Sequence, residues 1–154
     1  MANKSLLTIL ITLANIAILI LAIIIMFLSL GNWNDYTTCT FTILVALCWA
    51  CCACMENNVA LSCYTVLMVI DMLLLLANAI FYTVMTKKYN DACFDEWNLR
   101  DGVGPTWGCH EWRPPNGGMI RTVGMLVCFY IAFALRLFNI FGSCLLARSI
   151  YESN

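Results

Sequence analysis

The chain has 154 residues, of which 62% are hydrophobic and 11% charged, and its mean hydropathy is +0.84. A soluble domain of this length has too little interior to hide so much apolar surface. The net charge of −1 gives no reason to expect nucleic acid, and nothing in the composition suggests a soluble enzyme.

Residues 6–30 form a nearly unbroken apolar run. About 20 apolar residues are enough to cross a hydrocarbon core of roughly 30 Å, so the run predicts a first transmembrane helix. A cleaved signal peptide is the alternative, but its apolar core is about 7–15 residues long and ends in small residues. This run is longer, and Ser29-Leu30-Gly31-Asn32 is a poor cleavage site, so the helix is read as retained. Met1-Ala2 excludes N-myristoylation, and the sequon Asn3-Lys4-Ser5 lies too close to the span to carry a glycan. Residues 31–39 read as a short polar link whose Trp33 and Tyr36 suit the membrane interface.

A second span is expected over 38–55 and a third over 59–85, with Lys87-Lys88 as its stop. Only Glu56-Asn57-Asn58 separates the two, so they form an antiparallel hairpin around which the chain is organised. Residues 86–118 hold Gly102, Gly104, Gly108, Gly117 and Gly118 with Pro105, Pro114 and Pro115, which argues against long regular structure. A fourth span follows over 119–148, and a short tail ends the chain. The fold class is therefore an all-α membrane protein: one four-transmembrane-helix bundle with a small disulfide-stapled loop between helices 3 and 4.

Four spans place both termini on one side. Lys87, Lys88, Arg100, Arg113 and Arg121 flank the long loop, against Lys4 and Arg148 at the termini. Counting basic residues would put the loop in the cytoplasm, although Asp91, Asp95, Glu96, Asp101 and Glu111 balance them. The cysteines point the other way. Cys93 and Cys109 both lie in the long loop. In an oxidising compartment they would close about 16 residues and stabilise the loop by roughly 3 kcal/mol. Two free thiols in a reducing compartment is the alternative. Cys39, in the other loop on that side, is read as unpaired or buried.

Cys51, Cys52 and Cys54 crowd the opposite end of helix 2, with Cys63 and Cys144 near the same side. Cytosolic juxtamembrane cysteines are sites of S-palmitoylation, and small apolar packing residues is the alternative reading. Cys48-Trp49-Ala50-Cys51 and Cys51-Cys52-Ala53-Cys54 also match a CxxC pattern. A four-helix membrane thiol oxidase would need that motif on the same membrane face as Cys93 and Cys109. Here a bilayer separates them, which argues against that reading.

Asn15, Asp71, Asn78, Arg136 and Asn139 interrupt the apolar spans. Ionisable groups in lipid face the bundle interior and pair. Counting from the termini side, Asn15, Asp71 and Arg136 fall at similar depth, which predicts an Asp71–Arg136 contact with Asn15 or Asn139 as hydrogen-bond partners. Asp71 and Asn78 share a face by their spacing of seven, and Arg136 and Asn139 by i,i+3. A structural lock is favoured over a proton or ion path, because one matched pair has no further acidic chain. Ala14, Ala17, Ala22 and Gly31 on helix 1, and Ala46, Ala50 and Ala53 on helix 2, are read as close-packing positions.

The order of these features resembles the tetraspanin family over most of the chain. It comprises Asn15 midway along helix 1, a short first loop, cysteines followed by Glu56-Asn57 in a tight turn, and a long second loop. The stretch from Ala134-Leu135-Arg136 to Ala147-Arg148 also looks like that family's last helix. The chain departs from the pattern in a short second loop that lacks Cys-Cys-Gly, and in Arg136, where an acidic or amide residue is usual. It looks like a minimal or divergent member. The resemblance implies cytosolic termini in a plasma or internal membrane and an external long loop. It further implies lateral organisation through contacts with lipids, with other integral membrane proteins and in homo- or hetero-oligomers. No catalytic residue, cofactor or metal site is read. The alternatives are a structural subunit of a larger membrane complex and, less favoured, a transporter or channel subunit using Asp71 and Arg136. Claudin-like proteins fit less well, since their larger loop lies between helices 1 and 2.

Overall fold

A computed structural model describes residues 4–29, 33–55, 58–99 and 119–151, with side chains described over 5–29, 33–52, 59–87 and 122–151. All four described segments are helices: α1 (Lys4–Ser29), α2 (Trp33–Met55), α3 (Asn58–Leu99) and α4 (Met119–Tyr151). Each contains a stretch long and apolar enough to cross a membrane, namely Ser5–Ser29, Trp33–Cys52, Val59–Lys87 and Thr122–Tyr151. In hydrocarbon a helix satisfies every backbone hydrogen bond within its own segment, so long apolar runs have little other choice.

Two boundaries differ from the sequence-based expectation. α2 begins at Trp33, so Asn34, Asp35 and Thr37 belong to the helix and not to a polar link. Asp35 sits in the first turn, where a carboxylate complements the positive end of the helix dipole. α3 does not stop at Lys87-Lys88 but continues to Leu99. The reason is compositional: lysine is a good helix former, and the first glycine or proline after α3 begins is Gly102. Its 42 residues amount to about 63 Å of helix, roughly twice what the hydrocarbon requires.

Three residues join α1 to α2 and two join α2 to α3, so both pairs are antiparallel neighbours. Backbone packing pairs α1 with α2 and α4, and α3 with α2 and α4. The four helices form a ring in chain order, with α1 and α3 on one diagonal and α2 and α4 on the other.

Buried positions recur at alternating steps of three and four. On α4 they are Thr122, Met125, Phe129, Ala132, Arg136, Asn139, Ser143, Leu146 and Ile150. On α3 the seam runs through Leu61, Tyr64, Met68, Asp71, Leu75, Asn78 and Tyr82. A 3.5-residue repeat held this long keeps the seam facing inward only if the helices wind left-handedly about one another. The outer faces are apolar as well, with Phe27, Val66, Ile80, Phe138 and Phe141 exposed. A helix apolar all round belongs in lipid. Hydrophobic burial gives no preference for helix contact over lipid contact there, so shape and polar ties hold the bundle.

Two apolar clusters fill the interior. One, toward the loop between α3 and α4, gathers Ala22, Ile25, Cys39, Leu75, Ala79, Tyr82, Met125, Phe129 and Ala132. The other, toward the termini, gathers Ile11, Val45, Trp49, Leu61, Tyr64, Met68, Leu146 and Ile150. Between them lies a polar layer. Of the expected packing alanines, Ala14, Ala22 and Ala46 are buried. Ala17 is half-buried, and Ala50 faces outward because it falls one position past the Trp49 seam. Gly31 and the side chain of Ala53 lie outside the described residues.

Candidate functional site

The polar layer is built around Arg136 on α4, whose side chain is wholly shielded. Its Nη2 stands 2.6 Å from Asp71 Oδ2 on α3, and both side chains have 0% exposure. Nη1 donates to Asn15 Oδ1 on α1 at 3.0 Å. Nη2 also reaches the Thr42 carbonyl on α2 at 3.4 Å. One guanidinium therefore touches all three other helices, including α2 across the diagonal. Lysine could not do this, because only the planar fork presents fixed donors in several directions.

The partners are themselves held. Thr42 Oγ1 donates to Asp71 Oδ1 at 2.6 Å, so one threonine engages the carboxylate through its hydroxyl and the guanidinium through its carbonyl. Asn15 anchors its amide on the Ile11 carbonyl at 3.0 Å, which aims Oδ1 inward. Tyr64 donates to that same oxygen at 3.1 Å, crossing the other diagonal from α3 to α1. Below this layer the Trp49 ring lies 5.4 Å from that of Tyr64, and its indole N–H donates to Thr12 Oγ1 at 2.9 Å. Each buried charge faces its opposite and takes neutral hydrogen bonds besides, the condition under which such a pair is tolerated away from water.

The predicted Asp71–Arg136 contact with Asn15 is present. Two further predicted members of the lock are not part of it. Asn78 shares the face of Asp71 but lies seven residues nearer the loop end, about 10 Å along the axis. It binds α2 instead: its amide donates to Thr38 Oγ1 at 2.9 Å and to the Leu74 carbonyl at 3.0 Å, while Asn34 donates to its oxygen at 3.1 Å. One turn beyond, Tyr82 OH donates to Asp35. Asn139 is fully buried on the Arg136 face, yet neither atom of its amide has a partner among the described residues. Asn15 reaches the guanidinium from the facing helix α1, whereas Asn139 sits three residues nearer the termini on α4 itself, about 4.5 Å along the axis.

Sequence reasoning passed over Thr42, Tyr64, Thr38, Asn34 and Asp35. A signal was available in the spacing of Asp35, Thr38, Thr42, Val45 and Trp49, which alternates three and four and marks an inward seam.

The cysteines divide by face. Cys51, Cys63 and Cys144 are exposed free thiols, and so is Cys48, which the lipidation candidates omitted. Cys52 is turned toward α3, with its Sγ 3.7 Å from the Ala60 carbonyl. Cys39 is buried within the loop-side apolar cluster. The Cys93–Cys109 pairing and the Cys54 side chain lie outside the described residues.

Chemically, the layer is an internal clamp: the charged groups pair with each other and bond Asn15 and Thr42 on the two helices that carry no charge in the layer. No family model, curated protein sequence or solved structure matches this chain.

Proposed function

We propose that this chain is a non-enzymatic membrane organiser, a fixed four-helix body that packs laterally with copies of itself and with other integral membrane proteins. The observation that carries this reading is Arg136. By tying α4 to Asp71, Asn15 and Thr42 it spends the most reactive charges of the span on holding the helices in one register. What the bundle offers its surroundings is its apolar outer belt, which includes Val66, Ile80 and Phe138. Such a belt meets only lipid or other membrane-embedded surfaces.

The tetraspanin resemblance supports the same reading and adds an orientation. In it the termini are cytosolic, the segment after α3 is outside, Cys93 and Cys109 are bridged, and the outward Cys51, Cys63 and Cys144 are acylated on the cytosolic side. The protein then resides in the plasma membrane or an internal membrane.

The test is site-specific photocrosslinking from Val66, Ile80 and Phe138, with the protein extracted in native lipid nanodiscs. The expected result is adducts to a second copy or to discrete membrane proteins from one or two of these faces. Lipid adducts alone from all three faces, with a monomer by single-molecule photobleaching, would overturn the proposal. Adducts to one fixed set of unlike chains from every face would instead identify a structural subunit.

A further inference from the structure

The clamp leaves a remainder on α4. Arg136, Asn139 and Ser143 follow one another along its buried seam, each with 0% exposure. The Nη atoms of Arg136 are committed to Asp71, Asn15 and Thr42. Its Nε, both amide atoms of Asn139 and the Ser143 hydroxyl have no hydrogen-bond partner among the described residues. These unmet groups lie on consecutive turns of one helix face, spaced about 5–6 Å apart. None of them bonds another, and neighbours at that Cβ spacing are close enough for one molecule with a hydrogen-bonding reach of about 2.8 Å to each side to bridge them.

Among the described residues none of these atoms has a partner, and two donors near the layer are already committed: the Tyr64 hydroxyl donates to Asn15, and the Trp49 N–H to Thr12. On the α1 side the approach is apolar: a Cβ built on Gly142 would meet Ile11 carbons at 3.0 and 3.2 Å. A buried polar group left unsatisfied costs about 1–3 kcal/mol, and the hydrocarbon around the bundle offers no relief. Several such groups together on one seam are a standing penalty unless something polar lies among them.

We propose that this seam is a buried water site, in which one or two molecules bridge Arg136 Nε, the Asn139 amide and the Ser143 hydroxyl. The chemistry suits water better than an ion. The orphans comprise donors (Arg136 Nε–H and the Asn139 NH₂), an acceptor (Asn139 Oδ1) and a hydroxyl that serves as either. Water offers two of each. A cation would face the donors and the guanidinium, and an anion would face Asp71, whose charge already balances Arg136. Arg136 Nε donates to the water, which donates onward to Asn139 Oδ1, and the Asn139 NH₂ and Ser143 hydroxyl close the network below. The seam becomes apolar again at Leu146 and Ile150, and the loop-side cluster lies beyond the ion pair, so the water is enclosed and not part of a continuous path. This site extends the clamp one to two turns toward the termini and does not depend on the organiser reading.

The experiment is proton-detected solid-state NMR on protein carrying ¹⁵N-asparagine and ¹⁵N-arginine in lipid nanodiscs, with magnetisation transferred from water. Strong transfer is expected at Asn139 Nδ2 and Arg136 Nε, and weak transfer at the equally buried but partnered Asn15 and Asn78 amides. Transfer at Asn139 no stronger than at Asn15 would overturn the proposal. Thermal unfolding supplies a second arm. Asn139→Leu and Ser143→Ala should each lower the midpoint, and the double variant should lose less than the two losses combined, because both act through the same water. A dry, unsatisfied amide would make Asn139→Leu stabilising, and a raised midpoint would overturn the site as well. Should Asn139→Leu fail to fold, the smaller Ser143→Ala decides by the sign of its shift.

Discussion

Thr42 and Asp71 meet at a hydroxyl–carboxylate hydrogen bond of 2.6 Å inside the bundle, while the carbonyl of the same threonine accepts from the guanidinium that neutralises Asp71. A threonine one heptad below Asp35 on α2 thus serves both halves of an ion pair carried by α3 and α4. Thr42→Val keeps the shape and removes only the hydroxyl. A hydrogen bond between membrane helices averages about 0.6 kcal/mol, and bonds to charged groups reach about 1.5–3 kcal/mol. The variant should therefore lose about 1–2 kcal/mol in a reversible denaturant titration in mixed micelles. A loss within error would mean that the hydroxyl does not engage the carboxylate.

The ion pair itself predicts a sharp non-additivity. Asp71→Asn leaves Arg136 charged and short of its counterion, and Arg136→Met leaves Asp71 so. Breaking a buried pair from one side costs about 3–5 kcal/mol, most of it the stranded charge. Replacing both, as Asp71→Leu with Arg136→Met, removes both charges and should recover most of that loss. The check is a double-mutant cycle in the same titration. Equal or greater damage in the double variant would show that the two residues do not compensate each other.

A separate prediction concerns the loop end of the α2–α3 interface. Tyr82 donates to Asp35, stacks on Phe129 at a centroid distance of 5.7 Å, and shares its cluster with the buried Cys39. Tyr82→Phe retains the ring and deletes the donor. Together with Asn78→Leu, which removes the Thr38 and Asn34 bonds, it should loosen this end while the central pair stays closed. The readout is maleimide labelling on a background in which Cys39 is the sole cysteine. Cys39 should be inert in the parent and react measurably faster in the double variant. Labelling as slow as in the parent would show that apolar packing alone closes this end.

Some of this architecture is plain in the sequence and some is not, for identifiable reasons. The spans are legible because lipid demands long apolar runs and tolerates few exceptions. The Asp71–Arg136 contact is legible because the exceptions are rare, and depth counted from the helix ends pairs them. The start of α2 is obscured because Asn34, Asp35 and Thr38 are polar for an interior reason. They face Asn78 and Tyr82, and polarity without its partner looks like a link outside the membrane. The choice of Asn15 over Asn139 is hidden because both are buried amides at similar depth, and only the contacts across the α1–α4 interface show which one the guanidinium reaches. Thr42 and Tyr64 are ordinary residues in a strand of ordinary residues, and only the three-four alternation around them marks the inward face.

The close approach of α1 and α4 gives the last prediction, and two glycines of one helix supply its internal control. A Cβ on Gly142 would lie 3.0 Å from Ile11 Cγ1 and 3.2 Å from its Cδ1, closer than ordinary contact. Ile11 is itself wholly buried against the termini-side cluster and has little room to retreat. A Cβ on Gly124 would meet Leu28 Cδ1 at 3.8 Å, an ordinary contact. Gly in a helix interior costs about 0.5–1 kcal/mol relative to Ala, so Gly124→Ala should be neutral or mildly stabilising. Gly142→Leu adds a large side chain where the backbones meet, and overpacking of that kind costs about 1–3 kcal/mol or more. Because Asn15 and Ile11 are one turn apart on α1, pushing that helix outward should also lengthen the Arg136–Asn15 hydrogen bond. The two variants should therefore diverge in sign in the denaturant titration. Coupling Gly142→Leu with Ile11→Ala should restore part of the loss by making room. Equal tolerance at both glycines would mean that α1 and α4 do not approach closely at Gly142.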